Sequence, residues 1–264
     1  MKIPFYKMHG AGNDFIVVDD RELLFPAANR SFIEQVAARR TGIGCDGVIL
    51  LQPSAAADLR MRFLNPDGNE VEMCGNGARC FARLACDLGA APAEMQIETA
   101  AGLVHAWVEG AEVRLELPPP SDWKLGLDAG LERPVDFVNT GVPHAVLRVD
   151  DLAAVDLPQV GRTLRCHELF APEGANANFV RVDEDATLSV RTYERGVEGE
   201  TLACGTGAAA VALVAARHGW IELPVVVHCA GGYGLTIDSC AGKTTLTGSA
   251  EYVFEGEMEY GSRV

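Results

Sequence analysis

The 264-residue sequence predicts an α/β (mixed α+β) chain of two pseudo-symmetric domains, each a mixed, barrel-like sheet wrapped around a central apolar helix, with an active site expected in the cleft between them. Three observations predict this. First, "MCGNGARCFARLACDLG" at 73–89 and "LACGTGAAAVALVAARHG" at 202–219 align at a displacement of 130 positions. Glu70 falls on Glu200, Cys74 on Cys204, Gly75 and Gly77 on Gly205 and Gly207, and Gly89 on Gly219. Second, the segment after Cys204 is apolar on every face until Arg217, so its helix must be surrounded rather than laid on a surface. Third, most of the remaining chain consists of short apolar or alternating runs between turn residues, which read as strands.

Taken in order, strands are expected in "DFIVVDD", "DGVILLQ", "LRMRFLN", "GLVHAWVEGAEVRLELP", "VDFVNTGVPHAVLRVD", "NFVRVD", "TLSVRTYER", "PVVVHC", "GLTIDS" and "KTTLTGSAEYVFEGEMEY". Between the first two, "RSFIEQVAARR" predicts an amphipathic helix opened by an N-cap at Ser31 with Glu34 three residues on. A second echo sets "GAGNDFIVVD" at 10–19 against "GANANFVRVD" at 174–183. Its displacement of 164 implies about 34 extra residues between landmarks in the first half. "PPPSDW" at 118–123 marks the expected boundary. Residues 1–118 then form the half carrying Cys74, with the tail 252–264 returning to it, and residues 119–251 form the half carrying Cys204.

Composition narrows the function. A formal net charge of −15 argues against nucleic acid or an anionic membrane as the partner, so positive potential for an anionic ligand must be built locally. The N-terminus lacks the apolar core and small-residue cleavage site of a signal peptide, and the apolar run at 208–216 is too short to span a bilayer. A soluble, cytoplasmic enzyme is expected. Its eight cysteines should then be reduced thiols, and none has Cys-x-x-Cys spacing, so no metal or thioredoxin motif is expected. Cys45, Cys80, Cys86, Cys166, Cys229 and Cys240 are expected as small buried hydrophobes. Arg79 and Arg83, four apart, read as a solvated or ion-paired helix face. "GAGNDF" lacks the third glycine of a dinucleotide loop.

Cys74 and Cys204 stand apart because each opens a helix. A helix N-terminus exposes unpaired N–H groups and a partial positive charge, which favours a thiolate and binds anions. The effect is limited. A dipole contribution of roughly 0.3–2 kcal/mol is at most about 1.5 pKa units, which from a free thiol near 8.5 leaves the sulfur only poised near neutrality. Neighbours must supply the rest. Two such thiols suit inversion of a carbon stereocentre without a cofactor: one thiolate removes a proton from one face, and one thiol returns a proton to the other. The substrate carboxylate would sit against the helix mouths, whose N–H groups stabilise the developing negative charge.

The motifs "KMHGAGNDF", "FLNPDGNEVEMCGNGARC" at 63–80 and "YERGVEGETLACGTGAAA" at 193–210 resemble those of the diaminopimelate epimerase family, over essentially the whole chain. The resemblance implies an isomerase that interconverts LL- and meso-2,6-diaminopimelate without pyridoxal phosphate or metal, in lysine and peptidoglycan precursor biosynthesis. It implies a small-molecule substrate and a homodimer. It makes Cys74 and Cys204 the catalytic pair, and Gly75, Asn76, Gly205 and Thr206 the backbone cradle for the reacting carboxylate. Asn13, Asn65, Asn176 and Arg195 match positions that hold the substrate, and His144 and Glu194 match polar residues near the reacting centre. The chain departs from one branch of the family at two places: Val142 stands where an asparagine is expected, and Gly47 where a glutamine is expected. Two other readings stay open: an epimerase of another amino acid on the same scaffold, and an enzyme with a single nucleophilic or redox-active cysteine.

Overall fold

A computed structural model describes residues 1–261, in two compact units. One comprises Met1–Leu115 and the segment from Gly248 onward, the other Glu116–Thr247. Of the tail expected at 252–264, residues 262–264 lie outside the described residues.

The first unit contains β1 (Lys2–Gly10), β2 (Asn13–Asp19), α1 (Arg30–Ala37), β3 (Gly47–Gln52), β4 (Leu59–Leu64), β5 (Glu70–Val71), α2 (Gly75–Asp87), β6 (Glu94–Thr99), β7 (Gly102–Glu109), β8 (Glu112–Leu117) and β18 (Glu251–Glu259). The strands lie side by side in the order β18-β1-β2-β3-β4-β6-β7-β8. Neighbours are antiparallel except β2/β3 and β4/β6, and the short β5 pairs back on β4. Successive side chains of a strand face opposite ways. In β2 and β3, Val17, Ile49 and Leu51 therefore join Phe81 and Leu84 of α2, while Ile16, Val18, Val48 and Leu50 pack under Phe32, Ile33 and Val36 of α1. With helices on both faces, the two strands carry near-continuous apolar runs. Each fully buried side chain of this size contributes roughly 1.5–3 kcal/mol of transfer free energy.

The α1 boundaries differ from expectation. The N-cap is Asn29, whose side chain accepts from the Phe32 amide, so Ser31 lies inside the first turn and has no capping role. The helix ends at Ala37 because Ala38 turns extended (φ −63°, ψ 121°).

The second unit contains β9 (Ser121–Leu127), β10 (Val135–Asn139), β11 (Pro143–Arg148), the four-residue α3 (Arg162–Arg165), β12 (Asn176–Val182), β13 (Leu188–Glu194), β14 (Gly199–Thr201), α4 (Gly205–Arg217), β15 (Val225–Cys229), β16 (Gly234–Cys240) and β17 (Lys243–Ser249). The order is β9-β10-β11-β12-β13-β15-β16-β17, with β11/β12 and β13/β15 parallel, the other neighbours antiparallel, and β14 on β13. The succession of pairings matches that of the first unit strand for strand. The sheet wraps α4, which is buried from Gly207 to Ala215. Alanine is what allows strands to approach such a helix from several sides.

This topology corrects the second echo. β2 corresponds to β11 and β3 to β12, and the pairs Phe15–Gly47 and Ala145–Ala177 occupy the same register 130 positions apart. The connecting segments, 20–46 and 149–175, are equal in length, so the first half has no surplus of 34 residues. "GAGNDF" and "GANANF" look alike because each leads from a glycine into a strand with a fully buried middle, not because they are equivalent.

The remaining cysteines also divide. Cys45, Cys80 and Cys229 are buried and Cys86 is half-buried, but Cys166 and Cys240 are exposed. Cys166 caps the end of the short α3, and Cys240 ends β16 at a tight turn to Lys243, both places where the chain leaves the core.

Candidate active site

In each unit a short hairpin strand delivers the chain to a cysteine in extended conformation, and a helix begins at the next residue. Cys74 is the N-cap of α2 (φ −138°, ψ 119°) and Cys204 that of α4 (φ −120°, ψ 108°). Their carbonyls accept from Ala78 and Ala208 at 2.8 and 2.9 Å, closing the first helical turn. The amides of residues 75–77 and 205–207 precede that bond and have no intrahelical acceptor, which leaves each mouth able to accept an anion.

The glycines divide by position. A Cβ on Gly75 would meet nothing within 4 Å, leaving its backbone open to a ligand. On Gly77 a Cβ would sit 2.8 Å from Ile49 Cδ1, and on Gly207 2.6 Å from Asn178 Oδ1 and 3.3 Å from Cys204 Sγ. The later glycines of the pair are therefore required by protein packing, not by the ligand.

Around Cys74, the thiol donates to Asn13 Oδ1 across 3.5 Å, and Asn76 Nδ2 donates to the same oxygen at 3.3 Å. The structure thus gathers Cys74, Asn13 and Asn76, and Gly75 lies next to Cys74 in the chain. Asn65 lies in the turn between β4 and β5, where its carbonyl accepts from Gly68 at 2.9 Å and its N–H donates to Asn69 at 2.8 Å.

Two further residues enter this cluster that the sequence did not mark. Asp46 accepts from Asn13 Nδ2 at 2.7 Å. Arg79, expected on a solvated or ion-paired face, is fully buried. Its guanidinium donates to Asn76 Oδ1 at 3.0 Å, to the Gly75 carbonyl at 3.5 Å and to the Ser249 carbonyl at 3.3 Å. Arg79 departs from the expected solvated or ion-paired face because the sheet closes over it, whereas Arg83 keeps an ion pair with Asp87 at 3.5 Å. Arg83 reaches the Ala250 carbonyl and its cation stacks over Tyr252 at 4.9 Å.

Around Cys204, the Thr206 hydroxyl lies 3.6 Å from Sγ. Loss of solvent, and then the Glu194 carboxylate, push the Cys204 thiol up to about 12; the Thr206 hydroxyl and the Gly207 amide pull the other way. Glu194 is itself raised by burial. His144 is fully buried, with Nε2 2.9 Å from Thr206 Oγ1 and Nδ1 3.1 Å from Asn178 Nδ2. Burial, aided by the Arg195 charge, lowers its pKa to about 3, so the ring is neutral. Asn176 accepts from the Arg195 amide at 2.7 Å, and the Arg195 guanidinium meets Glu173 at 3.2 Å. His144, Asn176, Glu194, Arg195, Gly205 and Thr206 thus share one strand-end cluster with Cys204. Asn178 was missed. Its signal was available: it lies two residues from Asn176 on a strand face that continues with the buried Val180.

Gly47 has a packing reason. A Cβ there would lie 2.2 Å from the Phe63 ring, so this chain has no room for the glutamine of the related branch. Among the described residues no three His, Cys, Asp or Glu side chains converge as metal ligands, and no helix is long and apolar enough to cross a membrane.

Comparison with known proteins places these features in context. A family model described as diaminopimelate epimerase matches residues 5–119 and 137–253. A diaminopimelate epimerase of Methanocella arvoryzae is 44% identical, over 98% of this chain and 97% of its own. One of Aquifex aeolicus is 42% identical over 96% and 97%. Among solved structures, a PhzF-family phenazine biosynthesis protein of Bacillus anthracis shares the fold with a TM-score of 0.75 at 18% identity, covering 98% of this chain and all of that one.

Proposed function

The chain belongs to the diaminopimelate epimerase family, and from that premise we propose that it interconverts LL- and meso-2,6-diaminopimelate by α-proton transfer between two thiols, with no cofactor. The observation that carries the reading is that Cys74 and Cys204 are the N-caps of topologically equivalent helices. In this reading each unit contributes one half of a symmetric proton relay.

Inversion needs a base on one face of the α-carbon and an acid on the other, with roles exchanged in the reverse direction. In this reading the substrate carboxylate rests on the amides of Gly75, Asn76, Gly205 and Thr206, which carry the charge that develops as the α-proton leaves. Asn13, Asn65 and Asn176 hold the rest of the substrate, and Arg195 grips the distal carboxylate in the bidentate geometry a guanidinium favours. Neutral His144 does not supply charge. It orients the Thr206 hydroxyl beside Cys204. Glu194 raises the Cys204 thiol, so a substrate ammonium placed against Glu194 would cancel that opposition and release the thiolate when substrate is present.

An acidic chain acting on a small molecule fits a cytoplasmic enzyme, and we include a homodimeric assembly in the reading. The polar set Asn65, Asn176 and Arg195 favours a substrate with a second charged end over small apolar amino acids. Proton NMR of the reduced protein with LL-diaminopimelate in D₂O tests the function directly. Deuterium should enter the α-position as the meso isomer forms. Absence of both exchange and inversion, in protein with free thiols, would overturn the substrate assignment.

A further inference from the structure

Amide side chains are usually ambiguous, since nitrogen and oxygen can exchange places without changing shape. The pair Asn76 and Asn13 is not. At one end Arg79 only donates, so it meets Asn76 Oδ1 (3.0 Å). Asn76 Nδ2 must then point away, toward Asn13 Oδ1 (3.3 Å). At the other end Asp46 only accepts, so it meets Asn13 Nδ2 (2.7 Å). Asp46 is fixed in turn, because the same carboxylate accepts from the Asp14 amide at 3.3 Å and from Arg39 at 2.5 Å. Turning either amide over would set donor against donor on one side and oxygen against oxygen on the other.

The consequence falls on Cys74. The atom facing its sulfur is an oxygen with lone pairs, so the contact at 3.5 Å is made by a thiol and opposed to a thiolate. Cys204 is placed differently: burial and Glu194 hold its thiol up, while its contact neighbours, a hydroxyl that can donate and the Gly207 amide, oppose them by favouring the charged form. The register adds a second observation. Asp46 lies 130 positions before Asn176, at the matching point of the parallel strand pair, so the position used in one unit to place Arg195 is used in the other to place Asn13.

We infer that Asp46 is a positioning residue that locks the Asn13 amide with its oxygen toward Cys74, so that Cys74 rests as the hydrogen-bonded thiol. The catalytic meaning rests on the two-thiol reading above. The helix dipole favours a thiolate at Cys74, and the amide orientation offsets it at contact distance.

Two variants separate orientation from charge. Asp46→Ala removes both the carboxylate charge and the acceptor, and frees the Asn13 amide to turn. Asp46→Asn removes the charge and keeps a carbonyl acceptor. Alkylation of Cys74 by iodoacetamide, read by mass spectrometry across pH, should accelerate by up to about tenfold at neutral pH in Asp46→Ala and stay within about twofold of the parent in Asp46→Asn. Unchanged protection of buried Cys80 reports an intact fold. Equal acceleration in both variants would show a charge effect and overturn the proposal, as would no change in either. The parent protein gives an answer even if Asp46→Ala does not fold. An infrared difference spectrum against Cys74→Ala should contain a hydrogen-bonded S–H stretch, and its absence would overturn the proposal. Neither readout involves substrate, so failure of diaminopimelate turnover would sink the functional reading and leave this result standing.

Discussion

His144 Nε2 lies 2.9 Å from Thr206 Oγ1, and the direction of that hydrogen bond is set from behind. Asn178 turns its oxygen to the Thr192 hydroxyl (3.0 Å) and its nitrogen to the Ala145 carbonyl (2.9 Å), so a donor faces His144 Nδ1. Nδ1 accepts, Nε2 carries the proton, and Thr206 receives it. The ring is a fixed neutral donor.

Keeping it neutral makes stability depend on pH. In the folded chain the His144 pKa is lowered to about 3 from an ordinary 6.5. Between these values the unfolded chain binds a proton that the native chain refuses, so stability rises with pH through the window and is lost as pH falls from about 6.5 toward 3. Urea midpoints at pH 7 and pH 5 should therefore differ more for the parent than for His144→Gln. Equal differences in the two proteins would contradict a buried neutral histidine.

Replacing either Cys74 or Cys204 by serine should reduce inversion by roughly 10²–10⁴, the usual contribution of a positioned acid or base. Deuterium incorporation measured with each variant checks it. Normal turnover by one of the two would leave a single-cysteine mechanism.

Gly47→Gln restores the residue of the related branch but drives a side chain into Phe63, whose ring would lie 2.2 Å from the new Cβ. Overpacking of this kind costs about 1–3 kcal/mol, read as a lowered urea midpoint. Gly47→Ala should show most of the loss, because the clash is at Cβ.

Arg195 is held by Glu173, whose side chain is 75% exposed. A substrate carboxylate must compete with it. Glu173→Gln should leave stability within about 0.5 kcal/mol, as expected for an exposed pair, and lower KM for diaminopimelate by up to about fivefold with kcat unmoved. An unchanged KM would mean that Arg195 is not the carboxylate grip.

Much of the architecture was readable because its signals are local. The all-apolar segment at 207–215 can only be a surrounded helix, and the Cys-Gly-x-Gly openings repeat at a constant spacing. The strands that went unread are the two short hairpin strands β5 and β14, and the longer β1, β6 and β9. β1 carries Pro4 and two lysines, β6 alternates Glu, Gln and Glu with its apolar positions, and β9 is largely exposed, so none shows a long apolar run. The false echo at 164 shows the limit of such matching. Two glycine-led entries into buried strands can look alike in letters, and only pairing partners tell which are equivalent.

Residue identity alone settled the fold class, the duplicated helix mouths and the two cysteines worth a hypothesis, since periodicity and spacing are properties of the chain itself. Packing decided the rest. Whether Arg79 meets water or the Asn76 carbonyl depends on a sheet closing over α2. Whether Gly47 is a lost ligand or a needed gap depends on Phe63 from a neighbouring strand. Whether Cys74 faces a donor or an acceptor depends on an aspartate 28 positions earlier in the chain. These are contacts between residues distant in sequence, and hydrogen-bond polarity exists only once such partners have met.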